Sequence, residues 1–235
     1  MDQLLQLATA YNPARCPICG GEPFDGTPGM LCGDCLKGMP WIQEPYCPGC
    51  GGTLDGIFAI CSKCMNQPKR PWKNAYSLFR MEEDAREGIL KLKYRNHVEY
   101  ARTIGVLLGR KLKTVLPPDE QYIIVPVPLH WLRFLQRGYN QAHLICQMVS
   151  QETGFPMVRA LKRTRYTRQQ AHLSREERMQ NLNGAFLPVQ LTKWQNRAIL
   201  LVDDVLTTGT TLAAAARILL EHGAASVSAV SAARR

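Results

Sequence analysis

Acidic side chains are scarce in this chain of 235 residues: 19 Asp and Glu stand against 29 Lys and Arg, a formal net charge of +10. That deficit favours polyanionic partners, nucleic acids or phosphorylated metabolites, and says nothing about fold. Long apolar runs are missing too. No stretch approaches the roughly 18 residues needed to span a bilayer, so no membrane insertion is expected. The opening MDQLLQLATAYNPAR has no basic start followed by an apolar core, so a secretory leader is not expected and the protein reads as cytoplasmic. Two phosphate signatures are also lacking. Without GxxxxGK followed by Ser or Thr a Walker triphosphatase is excluded, and without GxGxxG dinucleotide binding has no support. With 46% hydrophobic and 20% charged residues, wholesale disorder is excluded.

Cysteine, by contrast, is plentiful. Eight of the nine cysteines form four CxxC pairs, Cys16/Cys19, Cys32/Cys35, Cys47/Cys50 and Cys61/Cys64, separated by twelve, eleven and ten residues. A two-residue spacer lets both thiolates of a knuckle point at one cation, and two knuckles complete a tetrahedron. A redox CxxC opens a helix in a βαβ setting and needs one copy. Four copies among Gly and Pro point instead to two structural zinc ions with no open coordination position. Serial ribbons are the simplest pairing, and cross-bracing of first with third and second with fourth is compatible with the same spacing. So small a segment has little core, and metal binding would supply its folding free energy. Cys146 sits in an apolar helical run and reads as a buried small hydrophobe.

Residues 1–15 offer one short helix with Leu4, Leu7, Ala8 and Tyr11 on one face, and the zinc module spans about 16–66. Gln67-Pro-Lys-Arg-Pro-Trp72 reads as a linker, dividing the chain into residues 1–68 and 69–235. Beyond it the pattern predicts a strand over 75–80, a helix over 82–95 with Ile89, Leu90 and Leu92 inward, and a helix over 99–115. A buried strand follows at 122–127, then a helix near 138–151 ending at Gly154. The remainder reads as a strand over 197–202, a helix over 210–222 closed by Gly223, and a strand over 225–232. Such alternation means an α/β fold: a parallel sheet with helices on both faces, preceded by the small Cys-rich domain.

The most informative string follows the 197–202 strand: Asp203-Asp-Val-Leu-Thr-Thr-Gly-Thr-Thr211. Two carboxylates directly after a buried strand would be costly in the core, so they are expected to emerge at its carboxyl end, where open α/β sheets bind ligands. In the loop of Thr207, Thr208, Gly209, Thr210 and Thr211, hydroxyls and the N–H groups of a helix start would cradle a phosphomonoester. Asp203 and Asp204, acceptor-only, suit the diol of a sugar.

This string resembles the ribose-5-phosphate motif of type I phosphoribosyltransferases. The whole chain resembles the ComF family of competence proteins, which includes GntX-like proteins, through three further features. They are Val125-Pro-Val-Pro128, Arg137-Gly-Tyr-Asn-Gln141 and the 163–186 segment with Gln170-x-x-Leu173-Ser and Asn181–Gly184-Ala-Phe. The resemblance implies a zinc-ribbon module joined to a phosphoribosyltransferase-like domain, and binding of phosphoribosyl pyrophosphate with Mg²⁺ around Asp203 and Asp204. It also implies handling of incoming single-stranded DNA in natural transformation, often beside a helicase-like partner. It leaves open whether the chain is an active phosphoribosyltransferase with an unknown acceptor.

A second anion site for the diphosphate is expected at Pro126-Val127-Pro128-Leu129, whose prolines would hold an unusual backbone, with His130, Arg133 and Arg137 following. Magnesium would be held mostly by the ligand's own oxygens, beside Asp203 or Asp204. The basic stretch 159–178 has two readings. As a mobile hood it would clamp the diphosphate. As a DNA track, Arg163, Arg165 and Arg168 would meet phosphates while Tyr166 stacks on a base. For the chain as a whole, beside transferase and DNA-handling module, a third possibility is an adaptor whose ribbons dock a motor protein.

Overall fold

The computed structural model describes residues 15–54, 56, 58–95, 97–165 and 184–235. The expected helix within 1–15 and most of the 163–186 segment, including Tyr166 and Arg168, lie outside the described residues. The elements run in the order α1 (Gly33–Gly38), α2 (Ser62–Met65), β1 (Ala75–Arg80), α3 (Glu83–Tyr94), α4 (Glu99–Val115), β2 (Tyr122–Pro126), α5 (Trp131–Arg137), α6 (Gln141–Thr153), β3 (Leu161–Arg163), β4 (Phe186–Pro188), β5 (Ala198–Leu206), α7 (Thr210–Glu221) and β6 (Ser226–Arg234). No helix among the described residues is long and apolar enough to cross a membrane.

Four strands form a parallel sheet in the order β1-β6-β5-β2, with Tyr122 opposite Ala198 and Ala198 opposite Ser226. Ile124, Ile199, Leu200, Leu201 and Val202 are all fully buried. Both faces of the strands are therefore covered, as a parallel sheet requires. On one face Leu78, Ile124 and Leu200 pack with Leu92 of α3, Leu108 and Leu112 of α4, and Ile145 and Val149 of α6. On the other, Ile123, Ile199 and Leu201 pack with Leu212, Ala216 and Leu219 of α7 and with Trp194. A separate antiparallel pair, β3 with β4, stands apart from the sheet.

Three expectations need correction. The helix foreseen near 138–151 is α6, which starts at Gln141, where the Asn140 side chain accepts the Ala142 N–H, and an unforeseen short helix, α5, precedes it and ends at Gly138 with φ 76°. Leu90 is 36% exposed, whereas its neighbours Ile89 and Leu92 are buried. The strand foreseen over 197–202 continues to Leu206, since Asp203 pairs in register with Ser231 and Val205 with Ala233. The two aspartates thus belong to the last residues of the strand rather than to a loop beyond it.

The zinc module is not a loosely tethered appendage. Cys16, Leu31 and Met39 join the core of α3 and α4, and Cys47, Cys50 and Cys64 join that of α7. Ile42 N–H donates to Leu78 O at 2.8 Å and Arg80 N–H to Pro40 O at 2.8 Å, so the module adds a short antiparallel partner to β1. The presumed linker is also docked. Trp72 is 7% exposed and its Nε1 donates to Gly49 O at 3.2 Å.

Candidate functional site

The cysteines assemble into two clusters, Cys16/Cys19/Cys32/Cys35 and Cys47/Cys50/Cys61/Cys64, the four Sγ atoms of each lying within 4.8 Å of one another. Pairing is therefore serial. Cys19 Sγ stands 3.5 Å from Cys32 Sγ and Cys50 Sγ 3.7 Å from Cys61 Sγ. Those spacings fit the edge of a tetrahedron with Zn–S bonds of about 2.3 Å, roughly 3.8 Å. Backbone N–H groups of Gly21, Cys35 and Cys61 donate to Sγ of Cys19, Cys32 and Cys47 at 3.4 Å each, which suits thiolates. Four soft donors per cluster and a closed shell make these structural zinc sites.

The second site lies where the carboxyl ends of β2 and β5 open onto a cavity of about 620 Å³. Because the strands are parallel, these ends share one rim of the sheet. The cavity brings together Asp203, Asp204, Thr207 and Thr211 with Val127, Pro128 and Arg137, all anticipated from sequence. Arg86, Lys93, Arg133, Arg163 and Arg235 share the same lining. A cavity this rich in cations suits a phosphorylated ligand.

Asp203 Oδ1 accepts the N–H of Asp204 at 2.9 Å. Burial pushes the Asp203 carboxyl up to about 7, and the adjacent Asp204 charge adds to the effect. Asp204 pairs with Lys93 Nζ of α3 at 2.9 Å. The sequence reading missed Lys93, because the helical period around it exposes only which residues face the core. Carboxylate oxygens are the hard donors that Mg²⁺ takes, so the acid pair fits a magnesium-bearing ligand.

Gly209 precedes α7 with φ 73° and no side-chain cap, so the positive end of a twelve-residue helix starts at the cavity rim beside Thr207 and Thr211. Behind this turn lies the docked linker. Arg70 Nη1 donates to Thr208 O at 2.6 Å, and a Cβ on Gly209 would meet Arg70 Nη1 at 2.9 Å and Trp72 Cη2 at 3.1 Å. Thr210 is buried, and Thr208 Oγ1 lies 3.1 Å from Thr210 Oγ1. The linker thus braces the loop's rear while Thr207 and Thr211 face the cavity. Nothing in the local sequence of residues 67–72 signals this.

The Val127–Leu129 segment is held by Asn140, whose Nδ2 donates to Val127 O at 3.0 Å. Among the described residues the cis peptide bond is Glu44–Pro45, so the prolines at 126 and 128 are both trans. His130 is buried and its Nδ1 accepts Leu132 N–H at the start of α5. Burial, with Arg163 and Arg133 nearby, lowers its pKa. Arg163 is 9% exposed and lies over the Phe186 ring at 5.4 Å. Burial lowers its pKa to about 10. It forms part of the cavity wall rather than an outer surface, whereas Arg165 is exposed. Gln141, 2% exposed, lines the same cavity with Nε2 unpartnered.

Comparison with known proteins finds family models for two stretches of the chain. A double zinc ribbon domain model matches residues 7–70, and a phosphoribosyl transferase domain model matches residues 141–235. Competence protein F of Haemophilus influenzae is 33% identical over 89% of this chain and 92% of its own length. DNA utilization protein YhgH of Escherichia coli is 35% identical over 92% of this chain and 94% of its own. A solved adenine phosphoribosyltransferase from Trypanosoma brucei aligns at 19% identity with a TM-score of 0.37, over 57% of this chain and 52% of that one.

Proposed function

The chain belongs to the ComF family of competence proteins, and from that premise we propose that it serves DNA uptake, handling incoming single strands while binding phosphoribosyl pyrophosphate with Mg²⁺. The cavity at the end of β5 is the observation that carries this reading. It sets two carboxylates beside a hydroxyl-lined helix start, with Arg86, Arg133, Arg137, Arg163 and Arg235 in the same lining. A pentose with a 5′-phosphate and an anomeric diphosphate needs those three features: acceptors for the diol, N–H donors for the monoester, and positive charge for the diphosphate. Asp203 and Asp204 would face the diol, Thr207 to Thr211 the monoester, and Val127, Pro128 and Arg137 the diphosphate. Magnesium bound with the ligand would neutralise diphosphate charge.

Calorimetric titration with phosphoribosyl pyrophosphate tests the site. We expect binding with Mg²⁺ and none when Mg²⁺ is omitted. Asp203→Asn with Asp204→Asn should abolish it while the chain remains folded by circular dichroism. Undiminished affinity in the double variant overturns the assignment.

A second reading, transfer of the pentose to a nitrogen acceptor, is favoured by one observation. Arg133, Arg137 and Arg163 converge on one cavity, where they would stabilise a departing diphosphate. Release of pyrophosphate in the presence of candidate bases distinguishes turnover from binding alone.

A further inference from the structure

The short helix α5 separates the sugar-phosphate cavity from a second cavity of about 670 Å³, and its two sides differ in chemistry. Arg133 and Arg137, four residues apart, line the first cavity. Trp131 and Phe134, three apart, line the second. Helical spacing of three or four residues puts each pair on one side of the helix. The apolar side has no cover among the described residues. Trp131 is 60% exposed, Phe134 46% and Leu135 70%.

Three observations identify the occupant. First, the second cavity presents exposed aromatic rings, which favour a flat apolar group. Second, Arg159, Lys162 and Arg163 line it with no carboxylate among the described lining residues, so the flat group belongs to an anion. Arg159 is steadied there by His143, with Nη2 and Nε2 3.1 Å apart. Burial and the Arg159 charge lower the His143 pKa to about 4, which leaves its ring a neutral acceptor. Third, Pro128, Leu129, Asn140 and Arg163 line both cavities. A wall shared between a sugar-phosphate site and an aromatic site matches the anatomy of a nucleotide better than that of an acidic peptide.

We propose that this cavity seats a base of single-stranded DNA, stacked against Trp131 and Phe134, with neighbouring phosphates on Arg159 and Lys162. The inference rests on the DNA-handling reading above and places the strand on α5, away from Arg165.

Tryptophan fluorescence provides a local probe. Of the four tryptophans, Trp72 and Trp194 are buried, Trp41 is half-buried, and Trp131 is exposed. The full zinc-loaded chain would be titrated with a 20-nucleotide oligothymidylate and with an abasic strand of the same length, following emission and anisotropy. We expect the oligothymidylate to quench emission and the abasic strand to bind more weakly without quenching. Trp131→Ala should weaken oligothymidylate binding by about ten-fold or more, the scale of one lost base stack. Trp131→Phe should retain most of the affinity and lose the quench. Zinc content and melting temperature would confirm that both variants fold. Unchanged affinity in Trp131→Ala and in Phe134→Ala, with the wild-type chain binding DNA, overturns the location alone. Failure of the wild-type chain to bind at low salt overturns the underlying DNA reading as well. Quenching by a Glu-rich aromatic peptide but not by oligothymidylate gives the cavity to a protein partner and refutes the proposal.

Discussion

Asp203 carries the sharpest single-residue consequence. Its carboxyl titrates near 7 in the folded chain, against an ordinary value of 3.8, because burial and the Asp204 charge disfavour ionisation. The folded state therefore holds a proton that the unfolded chain releases above about pH 4. The associated stability is fully present below the unfolded value and is lost as pH rises through about 7. Urea unfolding midpoints should fall between pH 5 and pH 8, and Asp203→Asn should flatten that fall. Ligand binding should move the opposite way, since the diol and magnesium favour the ionised pair. The Lys93–Asp204 contact shows why the sequence told only part of this. Asp203-Asp204 is legible as a motif, whereas Lys93 lies more than a hundred residues earlier on a helix with many charges. Only folding brings its ammonium within 2.9 Å of Asp204.

At the scale of elements, the proposed phosphate loop is a turn between β5 and α7 held from behind by residues 67–72. Gly209 sits at φ 73° with Arg70 and Trp72 against its Cα. Gly209→Ala would introduce left-handed strain of about 1–2 kcal/mol and push Arg70 off Thr208 O. We expect a lower melting temperature, and a loss of phosphoribosyl pyrophosphate affinity larger than the stability change alone accounts for. Calorimetry on the variant below its melting transition checks this. The strand and helix periods of β1 and α4 could be read directly, because both pack continuous apolar patterns. The helix α5 could not, because it is only seven residues long and buries no apolar face of its own.

For the whole molecule, the ribbons and the sheet share two hydrophobic cores. Zinc removal should therefore unfold more than residues 15–66. Chelation is expected to lower the melting temperature of the complete chain in one cooperative transition, and Cys47→Ser with Cys50→Ser should do the same while weakening the proposed sugar-phosphate site through Trp72 and Arg70. Two separate transitions, with the higher one unmoved by chelator, would show the two parts to be energetically independent.

Local chemistry was enough to determine the zinc ligands, the strand–helix alternation and the Asp203–Thr211 motif. Thiol spacing, apolar period and acceptor–donor order act over a few residues and leave their mark in the string itself. Tertiary structure decided what depends on distant segments meeting. It set the serial pairing of the thiols, the Lys93 partner of Asp204, the brace of Arg70 on Thr208, and the two-sided α5 between a charged cavity and an aromatic one. Those contacts arise from close packing of elements far apart in the chain, and no local pattern encodes which side chains will then face each other.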